Sequence, residues 1–168
     1  MMVGTQRQLK RSLKNAASYQ QWREAAESWD KHKELDRWRQ RDHSRQYDYV
    51  SIRTRLDRLR SLKARHDNRG LLHTLNEGIH GNMGGMGRAG LYGHALSGTK
   101  VLIEDYIEEI IHTLEHLDKE DTGEISPEEK LDFFRRASHC FGHTAFMMSG
   151  SGSLLYFHMG VARALFEA

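Results

Sequence analysis

Cysteine is almost missing from these 168 residues, with Cys140 standing alone. One thiol cannot build an internal disulfide framework and supplies no cysteine-based zinc cluster, so its plain reading is a small core residue. Long apolar runs are missing as well. No stretch approaches the roughly 20 apolar residues that carry a helix across a bilayer, and residues 1–14 are polar and basic without an apolar signal core. The expectation is a cytoplasmic chain, with peripheral attachment to a membrane left open. Strand patterning is scarce, and only residues 144–148 read as a strand. The glycine-rich stretch lacks the Gly-Lys-Ser/Thr of a phosphate-binding loop and follows no clear strand, which excludes a nucleotide fingerprint.

What is present is charge and helical period. Charged residues make up 29% and hydrophobic ones 38%, and the formal net charge of +2 conceals an asymmetry. Residues 1–70 carry 18 Lys/Arg against 9 Asp/Glu, and residues 71–168 carry 7 against 14, giving +9 and −7, which sum to +2. The basic half can meet anionic headgroups, nucleic acid, or the acidic half of its own or another chain. An acidic second half and the lack of a standard binding motif make nucleic acid the disfavoured partner.

Residues 1–20 show little period and read as a flexible lead-in. Trp22, Ala25, Ala26 and Trp29 then recur at helical spacing, with Leu35 and Trp38 beyond. Three tryptophans in seventeen residues suggest a packing seam or, alternatively, an interfacial lipid surface. Tyr49, Ile52, Leu56, Leu59 and Leu62 mark a second helix whose outer face carries Arg53, Arg55, Arg58 and Arg60. That face suits a phosphate-rich surface, although a plainly solvated face is the commoner outcome. Asn68-Arg69-Gly70 is expected to end or bend this helix, and Leu71, Leu72, Leu75 and Ile79 suggest a short third one.

Eight of the fifteen glycines fall in residues 77–98, a segment that resists forming one regular helix. His80, Asn82, Tyr92 and His94 gather there. The most regular helix is expected at residues 99–117, with Leu102, Ile103, Tyr106, Ile107, Ile110, Ile111, Leu114 and Leu117 on one broad apolar face. Ser126-Pro127-Glu128-Glu129 has the form of a capping box with proline at the first helical position, and Leu131, Phe134 and Phe141 are expected to face inward.

Two metal-binding patterns are incomplete. His112 and His116 stand four apart on the polar side with no third ligand announced, and residues 118–129 fit a calcium loop poorly at Glu120 and Thr122. No metal and no cofactor are expected.

Residues 144–148 are apolar at successive positions, as in a strand buried on both faces. A Ser/Gly turn follows at residues 149–153, and then an amphipathic helical pattern. Backbone N–H groups converging near a helix N-terminus there would suit a phosphate or a developing oxyanion.

Ser149-Gly150-Ser151-Gly152 followed by His158-Met159-Gly160-Val161-Ala162-Arg163-Ala164-Leu165 resembles the opening of a patatin-like lipase domain. Trp38-Arg39, Tyr47-Asp48-Tyr49, Glu77-Gly78-Ile79-His80-Gly81-Asn82, Leu91-Tyr92 and the run from Gly98 to Tyr106 are similar to the helical domain that precedes it in fungal-type triacylglycerol lipases. Residues 129–136 continue that likeness. The resemblance implies a mostly α N-terminal helical domain at residues 21–125, with a glycine-rich segment at 78–98. The incomplete start of an α/β patatin-like domain would then occupy residues 126–168.

It also implies a lipid acyl hydrolase, a triacylglycerol lipase or phospholipase acting through a Ser/Asp dyad without a metal. The backbone of Gly150, Ser151 and Gly152 would form the oxyanion loop. The nucleophile elbow Gly-x-Ser-x-Gly occurs nowhere in the 168 residues. No catalytic residue is therefore assigned, and this chain alone is expected to be inactive. Its implied partners are a membrane or lipid-droplet surface, met through Trp22, Trp29, Trp38, Arg53, Arg55, Arg58 and Arg60, and a completing polypeptide segment or a second copy of the chain. The competing reading is a noncatalytic helical module that binds a membrane surface or a protein.

Overall fold

The helices α4, Tyr49–Ala64, and α7, Val101–Lys119, pack along each other and carry the centre of the core. Ile52, Leu56, Leu59 and Leu62 recur at helical spacing on α4, and Leu102, Ile103, Tyr106 and Ile110 do so on α7; all are buried in one cluster. Each such aliphatic side chain contributes about 1.5–3 kcal/mol by leaving water. The computed structural model describes residues 6–79, 82–119, 123–140 and 154–167, and among them it is mostly helical with no strand. The strand expected at residues 144–148 and the oxyanion loop at Gly150, Ser151 and Gly152 lie outside the described residues.

The remaining elements wrap this pair. α1, Gln6–Asn15, and α2, Tyr19–His32, form a hairpin, with Ser18 capping α2 by accepting from the Gln21 N–H. α1 occupies ground read from sequence as flexible. It has only Leu9 and Leu13 to bury, too few to register as a period, and Leu9 lies in a groove lined by Ala25 and Ser28, whose small side chains allow close approach. α3, Leu35–Gln40, is split from α2 by Glu34 in the left-handed region at φ 56°.

α5, Asn68–Gly78, lies antiparallel to α4 across a three-residue turn. Asp67 caps it by accepting from the Gly70 N–H at 2.8 Å, so Asn68-Arg69-Gly70 opens the third helix and does not end the second. The glycine-rich stretch makes a 3-10 turn at Met83–Gly85 and a single helical turn, α6, at Ala89–Tyr92. α8, Pro127–Cys140, starts at Ser126, whose Oγ accepts from the Glu129 N–H at 3.2 Å. α9 runs over Leu155–Glu167, where the helical pattern put it.

Three inward assignments change. On α8 the buried residues are Phe133 and Ala137, with Phe134 partly covered, while Leu131 is 52% exposed and Phe141 lies outside the described residues. The helix is turned by the packing of Phe133 into the α4, α5 and α7 core. On α7 the face is narrower than the sequence suggests, leaving Ile107 and Ile111 exposed and burying Glu109 and Thr113 instead. Cys140 is exposed, at the end of α8.

Candidate functional site

The charge asymmetry is met within the chain. Glu109, buried on α7, receives Lys63 at 3.1 Å and Arg60 at 3.4 Å from α4, and Arg60 also reaches Asp105 at 3.5 Å. Arg39 of α3 forks onto both oxygens of Glu104 at 2.9 and 2.7 Å. Its other nitrogens donate to the Ser97 hydroxyl and the Thr99 carbonyl.

These contacts belong to a larger buried tie between α2–α3 and the loop leading into α7. Asp30 is 1% exposed and accepts from the Leu96 N–H at 3.1 Å, the Ser97 N–H at 2.7 Å and the Ser97 hydroxyl at 2.5 Å. Gly98 holds φ at 142°, and a Cβ there would collide with the Glu104 carboxylate and the Arg39 guanidinium, so the loop needs glycine at that point. Lys100, also 1% exposed, donates to the carbonyls of Trp38 at 2.6 Å and Arg41 at 2.9 Å at the C-terminus of α3. A cation there answers the helix dipole and the unpaired terminal carbonyls.

The tie sets one hydroxyl on a carboxylate, Ser97 on Asp30, and that hydroxyl also accepts from Arg39. Its carboxylates are spent on N–H groups, a hydroxyl and Arg39, and its cations on carbonyls and Glu104. The arrangement fixes geometry.

Titration follows burial. Burial pushes the Tyr47 phenol up to about 12, reinforced by the Asp42 charge and opposed by Arg53. Burial also raises Tyr106 and Tyr92. Each folded-state value lies above the unfolded one near 10, so the stability these tyrosines confer is whole below pH 10 and drains away as the pH climbs toward 12. Lys100 is lowered by burial, so its contribution runs the opposite way, growing as the pH rises toward 10.5. With three tyrosines against one lysine, chemical-denaturation stability should fall between about pH 10 and 12. Tyrosinate absorbance should lag behind that of free tyrosine until the chain unfolds; Tyr47 ionising freely at pH 10 would contradict this.

The residues read as lipid-facing have separate surroundings. Trp22 is 36% exposed and stacks on Tyr19 at 6.2 Å. Trp29 lies beneath Lys10 and Lys33, at 5.9 and 5.4 Å. Trp38 is half-buried between Lys100 and His94, each 4.2 Å from its ring centre. Arg53 grips Asp42 at 2.7 Å and Arg60 is held by α7, while Arg58 only approaches Glu77 at 3.8 Å and Arg55 has no ion pair among the described residues. Of the gathered polar residues, Asn82 accepts from the Gly87 N–H and His94 packs at a tilt against Trp38, while His80 lies outside the described residues. His116 meets the Asn68 amide at 2.9 Å, and no group of three metal-ligating side chains occurs among the described residues. Nor is any described helix long and apolar enough to cross a membrane.

A cleft of ≈ 470 Å³ opens between α5 and α8, lined by His73, Asn76, Ile79, Phe133, Arg136, His139 and Cys140 among others. It sits where α8 ends and the chain passes toward the Ser/Gly stretch. Beyond it α9 is exposed on nearly every side, with Tyr156 at 82%, Phe157 at 66%, Leu165 at 63% and Phe166 at 95%.

Residues 1–139 match the family model of a domain of unknown function, DUF3336. The chain is 36% identical over 160 residues to triacylglycerol lipase ptl3 of Schizosaccharomyces pombe, covering 95% of this chain and 33% of that protein. It is 31% identical to a patatin-like phospholipase domain-containing protein of Meyerozyma guilliermondii, covering 98% of the chain and 23% of the relative. Triacylglycerol lipase ptl2 of Schizosaccharomyces pombe is 33% identical over 162 residues, covering 96% and 25%. The chain therefore spans a third or less of each. Coverage of 98% of 168 residues means that this similarity continues past residue 139 through the Ser/Gly stretch. No solved structure matches the chain.

Proposed function

The chain belongs to the DUF3336 family, and from that membership we propose that it is the helical N-terminal part of a patatin-like lipid acyl hydrolase, joined to the opening of the α/β domain that does the chemistry. The observation that carries this reading is similarity over 95–98% of the chain to proteins named triacylglycerol lipase and patatin-like phospholipase. The exposed apolar surface of α9 supports it: Leu155, Tyr156, Phe157, Leu165 and Phe166 are side chains that a sheet and its covering helices would bury.

In this reading the N–H groups of Gly150, Ser151 and Gly152 face the oxygen of an ester carbonyl as a serine attacks it. Preorganised donors of that kind are each worth about 3 kcal/mol in the transition state. The serine and its aspartate partner come from chain beyond these residues, since no Gly-x-Ser-x-Gly lies among them. The Arg39–Glu104 and Asp30–Ser97 tie holds α2 and α3 to the loop leading into α7. The enzyme works in the cytoplasm at a lipid surface, to which it attaches peripherally; a completing polypeptide or a second copy covers α9.

The test is a chimaera in which this chain replaces the matching third of the Schizosaccharomyces pombe lipase ptl3. The chimaera should hydrolyse triolein, whereas the same lipase lacking that third should not. The chain alone should release no fatty acid and take up no fluorophosphonate. A folded chimaera as inactive as the truncation, or covalent labelling of the isolated chain, would overturn the reading.

A further inference from the structure

We infer that the groove between α4 and α5 is a binding site for a phosphate group, either free or carried as a phosphomonoester. The groove encloses ≈ 270 Å³ and is lined by Ser51, Thr54, Arg55, Arg58, Thr74 and Glu77, with no aliphatic or aromatic residue among them. Ser51, Arg55 and Arg58 recur at helical spacing on one face of α4, and Thr74 and Glu77 face them from the antiparallel α5.

Three observations point to a ligand. Thr74 is 4% exposed, yet its hydroxyl has no hydrogen-bond partner among the described residues. A buried hydroxyl left unpaired is costly. Arg55 is half-buried and lacks both an ion pair and a hydrogen bond among the described residues, whereas Arg53, Arg60 and Lys63 on the same helix all meet carboxylates. Room for its guanidinium is provided by Gly78, since a Cβ there would lie 2.5 Å from Arg55 Nη1. A site that keeps a cation half-buried and unpaired is arranged for an anion that arrives from solution.

The chemistry of the walls selects the anion. Two guanidinium groups face one carboxylate, leaving the groove with a surplus of one positive charge. Glu77 is loosely held, 3.8 Å from Arg58 and 3.6 Å from His73, so it can yield Arg58 and stay beside the imidazole. The Thr54 hydroxyl is already donating to the Val50 carbonyl, which leaves Arg55, Arg58, Ser51 and Thr74 as donors. Donors on two opposing helices suit a tetrahedral dianion, whose oxygens point in several directions, better than a planar carboxylate. This inference does not depend on the lipase reading.

The test titrates the isotope-labelled chain with sodium phosphate at constant ionic strength, with sodium chloride as the control, and follows amide resonances. Saturable shifts are expected at Ser51, Thr74 and Gly78. Arg55→Gln should weaken binding about tenfold or more, as removal of a charge-assisted contact does. Thr74→Val matches the side chain in shape and removes the orphaned hydroxyl, so it should fold at least as well and still lose affinity severalfold. Arg23→Gln, on α2 and outside the groove, should leave affinity unchanged.

A second arm sediments the chain with phosphatidylcholine vesicles with and without phosphatidic acid. Pelleting that requires phosphatidic acid, is lost in Arg55→Gln and is reversed by free phosphate identifies a lipid headgroup. Saturable phosphate binding without pelleting identifies a soluble phosphate. Shifts that chloride reproduces, or affinity untouched by both Arg55→Gln and Thr74→Val, would overturn the site.

Discussion

Asp30→Ala should destabilise the chain by about 3–5 kcal/mol in chemical denaturation. The substitution takes the carboxylate from the part-buried N–H groups of Leu96 and Ser97, and an unpaired buried donor costs about 1–3 kcal/mol. It also releases the Ser97 hydroxyl, which links Asp30 to Arg39. Asp30→Asn keeps the shape and one acceptor, so it should recover part of the loss. A cost below about 1 kcal/mol for the alanine variant would mean that the tie is ornamental, because buried charged hydrogen bonds are worth more than that.

Phe133→Ala should cost about 3–5 kcal/mol, the usual toll of emptying a buried aromatic site. Phe133 is 1% exposed and is the main anchor of α8 against the core. It also forms a wall of the α5–α8 cleft, so the void can merge with open space, and the cost should lie near the lower bound. The distinguishing signature is local. Amide exchange should quicken through Pro127–Cys140 while Ile52, Leu56 and Ile103 stay protected. Uniform acceleration would show that α8 is inseparable from the rest.

These two residues also show how much could be read in advance. α4, α5 and α7 were legible because enough aliphatic residues recur at 3.6-residue spacing to outvote everything else, and α8 because Ser126, Pro127 and Glu129 announce its start. The rotation of α8 was not legible. Phe133 and Phe134 are adjacent, and only the partner surface decides which of them enters the core. Asp30 reads as one more charge on a polar helix face, since its partners are backbone N–H groups 66 and 67 residues away that leave no mark in composition. Lys100 hides for a similar reason: what buries it is the carbonyl-rich end of α3. The arginine face was visible as a stripe. Its division into cations met by carboxylates and an Arg55 unpaired among the described residues depends on where Asp42, α5 and α7 put their carboxylates. For the proposed oxyanion loop, the residue pattern alone carried the reading.

The span of the tie sets an order of events. The α1–α2 and α4–α5 hairpins close across short turns, so their contacts form within neighbouring stretches of chain. The links from Asp30 and Arg39 to residues 96–104 reach across 58 to 67 residues. Contacts of long separation pay the larger loop-closure penalty and arrive late. The tie is thus a latch fastened after the hairpins have assembled, absent when the rate-limiting barrier is crossed. Cutting it should leave the speed of assembly nearly unchanged and appear as a shorter lifetime of the finished structure.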